Sequence, residues 1–193
     1  MFFRQIWWIK MRKFQILGLS VLVLVIFVSG CTSQNTNQNT GNSSGFQIKS
    51  SAFMQDGEIP QKYTANGENI SPSLSWTSAP SDTKSFTIIC EDPDASSFTH
   101  WVVFNIPNNT TQLAEGITNQ GTLDNGAKQG TNDFNKIGYS GPAPPSGTHR
   151  YIFTIYALDS ELNLGVGATK SQVNSAMNGH VLDKAQITGK YGV

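Results

Sequence analysis

Arg150-Tyr151-Ile152-Phe153-Thr154-Ile155-Tyr156-Ala157-Leu158 is the run that decides the fold class. Side chains alternate along an extended strand, so Tyr151, Phe153, Ile155 and Ala157 fall on one face and Ile152, Tyr156 and Leu158 on the other. A strand apolar on both parities belongs in the middle of a sandwich, covered on both sides. Outward from it the chain keeps reading as strands. Phe46-Gln47-Ile48-Lys49-Ser50 alternates and is expected at a sheet edge, and Ser71 to Trp76 follows a turn-rich stretch containing Asn66-Gly67. Ser85 to Cys90 and Trp101 to Ile106 are β-branched and aromatic between Pro, Asp and Asn breakers, and Ala185 to Tyr191 is expected as a last short strand. Between them Asn108 to Ser146 is long and rich in Gly, Asn and Pro, which points to a functional loop or to short irregular strands. Thr169-Lys170-Ser171-Gln172 fits a capping box, followed by Val173, Ala176, Met177 and Val181 at helical spacing, with His180 expected to pack on the apolar side. The class is all-β with one packed C-terminal helix.

Ahead of the strands, Arg12 and Lys13 precede an uncharged apolar run from Ile16 to Val28, then Ser29-Gly30-Cys31. The run is short of the roughly 20 residues of a membrane span and has the length of a signal-peptide core. Small residues before a Cys resemble a lipobox, in which Cys31 is lipidated and becomes the mature N-terminus; the alternative is an uncleaved anchor helix. Both place the remainder outside the cytoplasm. Met11, which opens an ordinary MRKF leader, is an alternative start to Met1. Thr32 to Gly45 contains only Ser, Thr, Asn, Gln and Gly and is expected to be a flexible tether. The expected organisation is a signal over 1–31, a tether over 32–45 and one domain over 46–193, a normal size for a single core.

The 13 basic and 13 acidic residues balance only because the leader holds Arg4, Lys10, Arg12 and Lys13 and no acid. Nine basic residues then face 13 acids in the rest, a net charge of −4. A mildly acidic domain without a basic cluster is not a nucleic-acid binder. Once Cys31 is used, Cys90 is the remaining cysteine, so an intrachain disulfide and a two-Cys metal site are both excluded. Cys90 lies in an apolar run and is expected in the core.

The chemistry gathers between Asp92 and Tyr151. Asp92-Pro93-Asp94-Ala95, Thr99-His100-Trp101 and Gly147-Thr148-His149-Arg150-Tyr151 hold two of the three histidines and a proline-spaced carboxylate pair. His149 and Tyr151, two apart at a strand start, leave the same face. His100 begins another strand, and Asp92 lies just past the strand end at Cys90. If these ends meet, Asp92, His100, His149 and Tyr151 line one mouth, and Gly141-Pro142-Ala143-Pro144-Pro145 forms a stiff wall beside it. Two histidines facing an anion would gain donors by protonation, and Asp92 could orient one imidazole. The plainer readings are a simple turn at Asp92 to Ala95, core roles for Trp76, Trp101, Phe153 and Tyr156, and a structural ion pair at Arg150. His, His and Asp can also bind metal, but no His-X-His or His-Glu-X-X-His spacing is present. No serine stands out as an activated nucleophile. Neither a metal, a cofactor nor an enzymatic activity is expected.

Asp92-Pro93-Asp94-Ala95 with His100-Trp101, Gly147 to Tyr151, Tyr63 to Pro72, and Asn132-Asp133-Phe134 to Pro145 together resemble the phosphatidylethanolamine-binding protein family. That family includes the Raf kinase inhibitor protein, and the likeness is to its prokaryotic branch, over residues 46–193. The resemblance implies a Greek-key sandwich of two antiparallel sheets, with a C-terminal helix beside a small anion pocket. Carried over by position, the pocket would comprise Asp92, His100, Ala143, Pro144, His149 and Tyr151. Ser96 stands where the family usually has Pro, the link to His100 is short, and Ala143 stands where eukaryotic relatives usually have Gly. The implied function is non-catalytic binding of small phosphate-like anions or phosphoryl head groups, on the outer face of a membrane through a lipid on Cys31. The alternative is a protein-interaction module that inhibits an extracytoplasmic peptidase or kinase.

Overall fold

The β-branched and aromatic runs do pair, and they pair into two sheets. The structure, a computed structural model, describes residues 45–192. The expected signal peptide, the lipobox at Cys31 and the tether up to Ser44 lie outside the described residues. The strands are β1 (Gln47–Lys49), β2 (Gly57–Glu58), β3 (Leu74–Thr77), β4 (Ser85–Asp92), β5 (Phe98–Pro107), β6 (Gln112–Leu113), β7 (Lys128–Gln129), β8 (Thr148–Leu158) and β9 (Val181–Gly192), with one helix, α1 (Lys170–Met177), before the last. The small sheet has the order β1-β3-β6 and the large one β2-β9-β8-β4-β5-β7. The two-residue pairing of β2 with β9 is parallel, so the large sheet is not wholly antiparallel as expected. The long loop from Asn108 resolves into turns around β6 and β7.

β8 lies between β4 and β9, as a strand apolar on both parities should. Tyr151, Phe153, Ile155 and Ala157 are fully buried. With Ile88, Trp101 and Val103 they face Phe46, Ile48, Leu74 and Trp76, forming the core between the sheets. The opposite face of the large sheet carries a second cluster, in which Ile89, Val102, Phe104 and Leu158 receive Val173 and Met177 from α1. Each such apolar side chain contributes about 1.5–3 kcal/mol on burial. Cover on this second face is partial, and Ile152 and Tyr156 are only half-buried. Cys90 is buried and free.

The capping box forms: the Thr169 side chain accepts from the Gln172 amide and the Gln172 Oε1 accepts from Thr169 N at 2.9 Å. The helix stops at Met177, because Asn178 is extended (φ −61°, ψ 122°) and Gly179 turns the chain with φ 82°. This corrects two expectations. Val181 is the first residue of β9 rather than a helical position, and His180 is exposed, with Nδ1 2.8 Å from Asp159 Oδ1, rather than packed. β9 is also longer than expected, pairing along β8 from Leu158↔Val181 to Thr148↔Gly192.

Candidate functional site

Three strand ends converge, which is the condition under which the sequence reading placed these residues at one mouth. The last residue of β4 is Asp92, included in the strand rather than lying beyond it, and β5 and β8 supply His100, His149 and Tyr151. A single 3-10 turn, Pro93–Ala95, joins β4 to β5, with Pro at its first position and Asp92 as its cap. Asp92 Oδ1 accepts from the amides of Asp94 (2.9 Å) and Ala95 (3.1 Å), and Oδ2 lies 2.7 Å from His149 Nδ1. The carboxylate is 2% exposed. The turn is locked from outside by Arg150, whose Nη2 and Nε donate to Asp94 at 2.7 and 3.1 Å and whose backbone N adds a bond of 2.8 Å. The guanidinium and that amide hold the Asp94 carboxyl at a pKa of about 2.

Ser96 and Ser97 both have left-handed backbone, with φ 57° and 58°. Proline fixes φ near −65°, so the Pro usual at position 96 in the resembled family could not adopt this lip. Lys170, at the start of α1, ties the lip down by donating to the Ser97 carbonyl (2.8 Å) and to Glu91 (2.6 Å). The helix thus braces the lip, but no helical residue lines the cavity behind it.

That cavity measures about 240 Å³ and is lined by Asp92, Ala95, Phe98, His100, Phe134, Ala143, Pro144, Pro145 and Tyr151. Five of the six expected site residues therefore line it. The sixth, His149, is not among the lining residues, and its Nδ1 lies 2.7 Å from the Asp92 carboxylate. His100 is 3% exposed, with Nδ1 2.7 Å from the Ser140 carbonyl oxygen. Burial lowers its pKa in the empty site, with the Ser140 carbonyl acting in the opposite direction. In the neutral ring Nδ1 donates to Ser140, and Nε2 keeps its lone pair. The Tyr151 hydroxyl is buried and makes no hydrogen bond of full geometry among the described residues. Its polar neighbours are the Asp92 carboxylate and the Ala143 amide; burial first, then the Asp92 charge, pushes the phenol well up.

The rest of the lining is aromatic. Phe98 and Phe134 meet edge to face at 4.8 Å, and His100 packs on Phe98 (5.5 Å), Phe134 (5.4 Å) and Tyr151 (5.1 Å). Phe98 was legible, since it lies two residues before His100 on the same strand face. Phe134 was not, because it arrives on a loop. Asn132, 2% exposed, fixes that loop: its Oδ1 accepts from Phe134 N (3.0 Å) and Lys136 N (3.1 Å), and its Nδ2 reaches the Gly138 carbonyl and the Ser140 hydroxyl at 3.0 Å each. One amide thereby places both the Phe134 ring and the carbonyl that holds His100. The wall is docked on the 63–69 turn: Gly141 N donates to Asn69 Oδ1 (2.7 Å) and Ala65 N to the Pro142 carbonyl (2.9 Å). A Cβ at Gly141 would overlap the Tyr63 carbonyl oxygen, so only glycine fits there.

A second hollow of about 500 Å³ lies between β1, residues 53–55 and β9, lined by Phe46, Ile48, Phe53, Met54, Ala185 and Ile187 with Gln47, Lys49, Ser50, Gln55 and Gln186. No cluster of three His, Cys, Asp or Glu able to hold a metal occurs among the described residues. No described histidine is hydrogen-bonded to a serine or cysteine side chain.

Comparison with known proteins gives a consistent result. The family model described as phosphatidylethanolamine-binding protein matches residues 49–192. A UPF0098 protein of Methanothermobacter thermautotrophicus is 52% identical over 146 residues, covering 75% of this chain and 97% of that protein. Among solved structures, the phosphatidylethanolamine-binding protein homologue CT736 of Chlamydia trachomatis superposes with a TM-score of 0.70 at 39% identity, over 77% of this chain and 97% of that one. Escherichia coli YbcL, described as a member of the mammalian family, gives 0.72 at 32% identity, over 77% and 98%.

Proposed function

We propose, since this chain belongs to the phosphatidylethanolamine-binding protein family, that it is a non-catalytic binding protein for a small phosphate-like anion or phosphoryl head group. The observation that carries this reading is a cavity lined by the buried Asp92 carboxylate, the buried His100 ring and the Tyr151 hydroxyl, which makes no hydrogen bond of full geometry among the described residues. A buried hydroxyl without a partner costs about 1–3 kcal/mol, which a ligand oxygen would recover. The cavity is below the roughly 300–1,000 Å³ of drug-sized sites, which suits a head group rather than a whole lipid or cofactor. Its braced lip, its docked wall and the lack, among the described residues, of a serine or cysteine hydrogen-bonded to a histidine fit binding better than turnover. On residues 12–31 alone, the proposal extends to an exported protein held at the outer face of a membrane by a lipid on Cys31.

The test is calorimetric titration with inorganic phosphate from pH 5 to 8, with histidine resonances followed in parallel. Burial lowers the His100 pKa in the empty site, and an anion favours the protonated ring. Binding must therefore take up a proton, and affinity must rise as pH falls. His100→Ala and Tyr151→Phe should each abolish or strongly weaken it. Absence of phosphate binding across this range sinks the anion reading and leaves the protein-target alternative, an extracytoplasmic peptidase or kinase, to be pursued by pull-down.

A further inference from the structure

The polar lining of the strand-end cavity is almost out of contact with solvent. Asp92 and His100 are 2% and 3% exposed and Tyr151 is fully buried, although about 240 Å³ of space lies against them. An occupant larger than water reaches these groups only after part of the lining has moved. Apart from the wall, two stretches contribute apolar lining: the lip, through Ala95 and Phe98, and the loop over 132–136, through Phe134. Both backbones are fastened. In the loop, five consecutive amides have acceptors. Asn132 N donates to the Lys136 carbonyl (2.9 Å), Asp133 N to the Thr99 carbonyl (3.0 Å) and Asn135 N to the Asn132 carbonyl (2.9 Å), while Phe134 N and Lys136 N share Asn132 Oδ1. Thr99 N returns a bond of 2.7 Å to Asp133 Oδ2. In the lip, Asp92 holds two amides, Arg150 grips Asp94, and Lys170 holds the Ser97 carbonyl.

The part left with freedom to move is one side chain. The Phe134 ring is 38% exposed and meets Phe98 and His100 edge to face, at 4.8 and 5.4 Å. Such edge contacts are weak, and exposed side chains change rotamer quickly. Phe98 lacks that freedom, being half-buried on β5 and paired with Asp92 of β4. We infer that the Phe134 ring is the gate of the cavity. Edge-on to Phe98 and His100 it closes the approach to Asp92, His100 and Tyr151, and rotation about its Cα–Cβ bond opens that approach while the backbone stays fixed. The gate governs access, so it holds whether or not the occupant is an anion. It also admits an occupant without breaking either ion pair of the lip, Arg150 with Asp94 or Lys170 with Glu91. Entry and exit both scale with the open fraction, so a change at 134 alters the two rates together.

The deciding experiment needs no ligand. Diethyl pyrocarbonate acylates the neutral imidazole ring, and its rate at each of the three histidines of the full chain can be read by peptide mass spectrometry at pH 8. His180, exposed and remote from the cavity lining, is the internal standard. With the gate removed, the open form is no longer a minor population, so Phe134→Ala should raise the His100 rate roughly 10- to 100-fold and leave the His180 rate unchanged. Phe134→Trp enlarges the ring and should lower the His100 rate, an independent arm should the alanine variant disturb the loop. Lys170→Met frees the Ser97 carbonyl while keeping the ring, and should raise the His100 rate less than Phe134→Ala does. A larger rise in Lys170→Met than in Phe134→Ala places the gate in the lip and overturns the inference. An unchanged His100 rate in Phe134→Ala overturns it as well. Neither result touches the anion reading, which stands or falls on phosphate binding.

Discussion

Two of the hollows among the described residues differ in the opposite sense to what their sizes suggest. The β1/β9 groove is about twice as large, at 500 against 240 Å³. It is lined mainly by Phe46, Ile48, Phe53, Met54 and Ile187, and Met54 is 82% exposed. No buried ionisable group points into it. It marks where two sheet edges part. The smaller cavity is lined by an almost wholly buried carboxylate, a buried imidazole and a phenol without a partner. Burying such groups is costly unless something is gained by it, and here three of them line one space. Volume alone reports imperfect packing; converging, incompletely bonded polar groups report a site.

The comparison can be broken most forcefully at Asp92. Asp92→Ala removes the cap of the Pro93–Ala95 turn and leaves two amides and His149 without their acceptor. We expect a loss of about 2–4 kcal/mol in urea unfolding together with loss of phosphate binding. A loss below about 1 kcal/mol would show that the carboxylate does not organise the site. Next comes Asn132→Ala, expected to cost about 2–3 kcal/mol and to shift the ring resonances of His100 and Phe134 while those of Phe46 and Phe53 stay in place. Shifts spread evenly over both regions would mean that the wall is not an independent unit. The smallest effect is expected in the groove: Met54→Ser should change stability by no more than about 0.5 kcal/mol and leave phosphate affinity unaltered. A changed affinity would show that the hollows are coupled.

Much of this was legible in the sequence, wherever periodicity or cap chemistry sets the structure. β8 was read from its two apolar faces and α1 from Thr169 and Gln172, while strand parity grouped His149 with Tyr151 and left the meeting with Asp92 and His100 as a condition on the strand ends. What escaped reading is set by tertiary pairing. The first half of β9 is largely exposed and has no apolar alternation, so its hydrogen bonds to β8 make it a strand, and Val181 was instead assigned to the helix. His180 followed the same error, since one left-handed glycine moved it off the helix face. Asn132 and Phe134 sit on a loop without a period, where a buried amide can be found only by following its bonds. That His149 is the imidazole paired with Asp92 depends on side-chain direction, which parity alone does not supply.

Gly141 separates what can change in this site from what cannot. Any side chain there would run into the Tyr63 carbonyl, so the wall's distance from the 63–69 turn is fixed by steric exclusion. Ala143, Pro145 and Phe134 line the cavity with their side chains. Divergence in ligand preference can therefore proceed through those three side chains while the backbone that carries them stays in place. A combinatorial library varied at 134, 143 and 145 should be rich in folded members with new specificities, and one varied at 141 should yield mostly proteins that never assemble a wall.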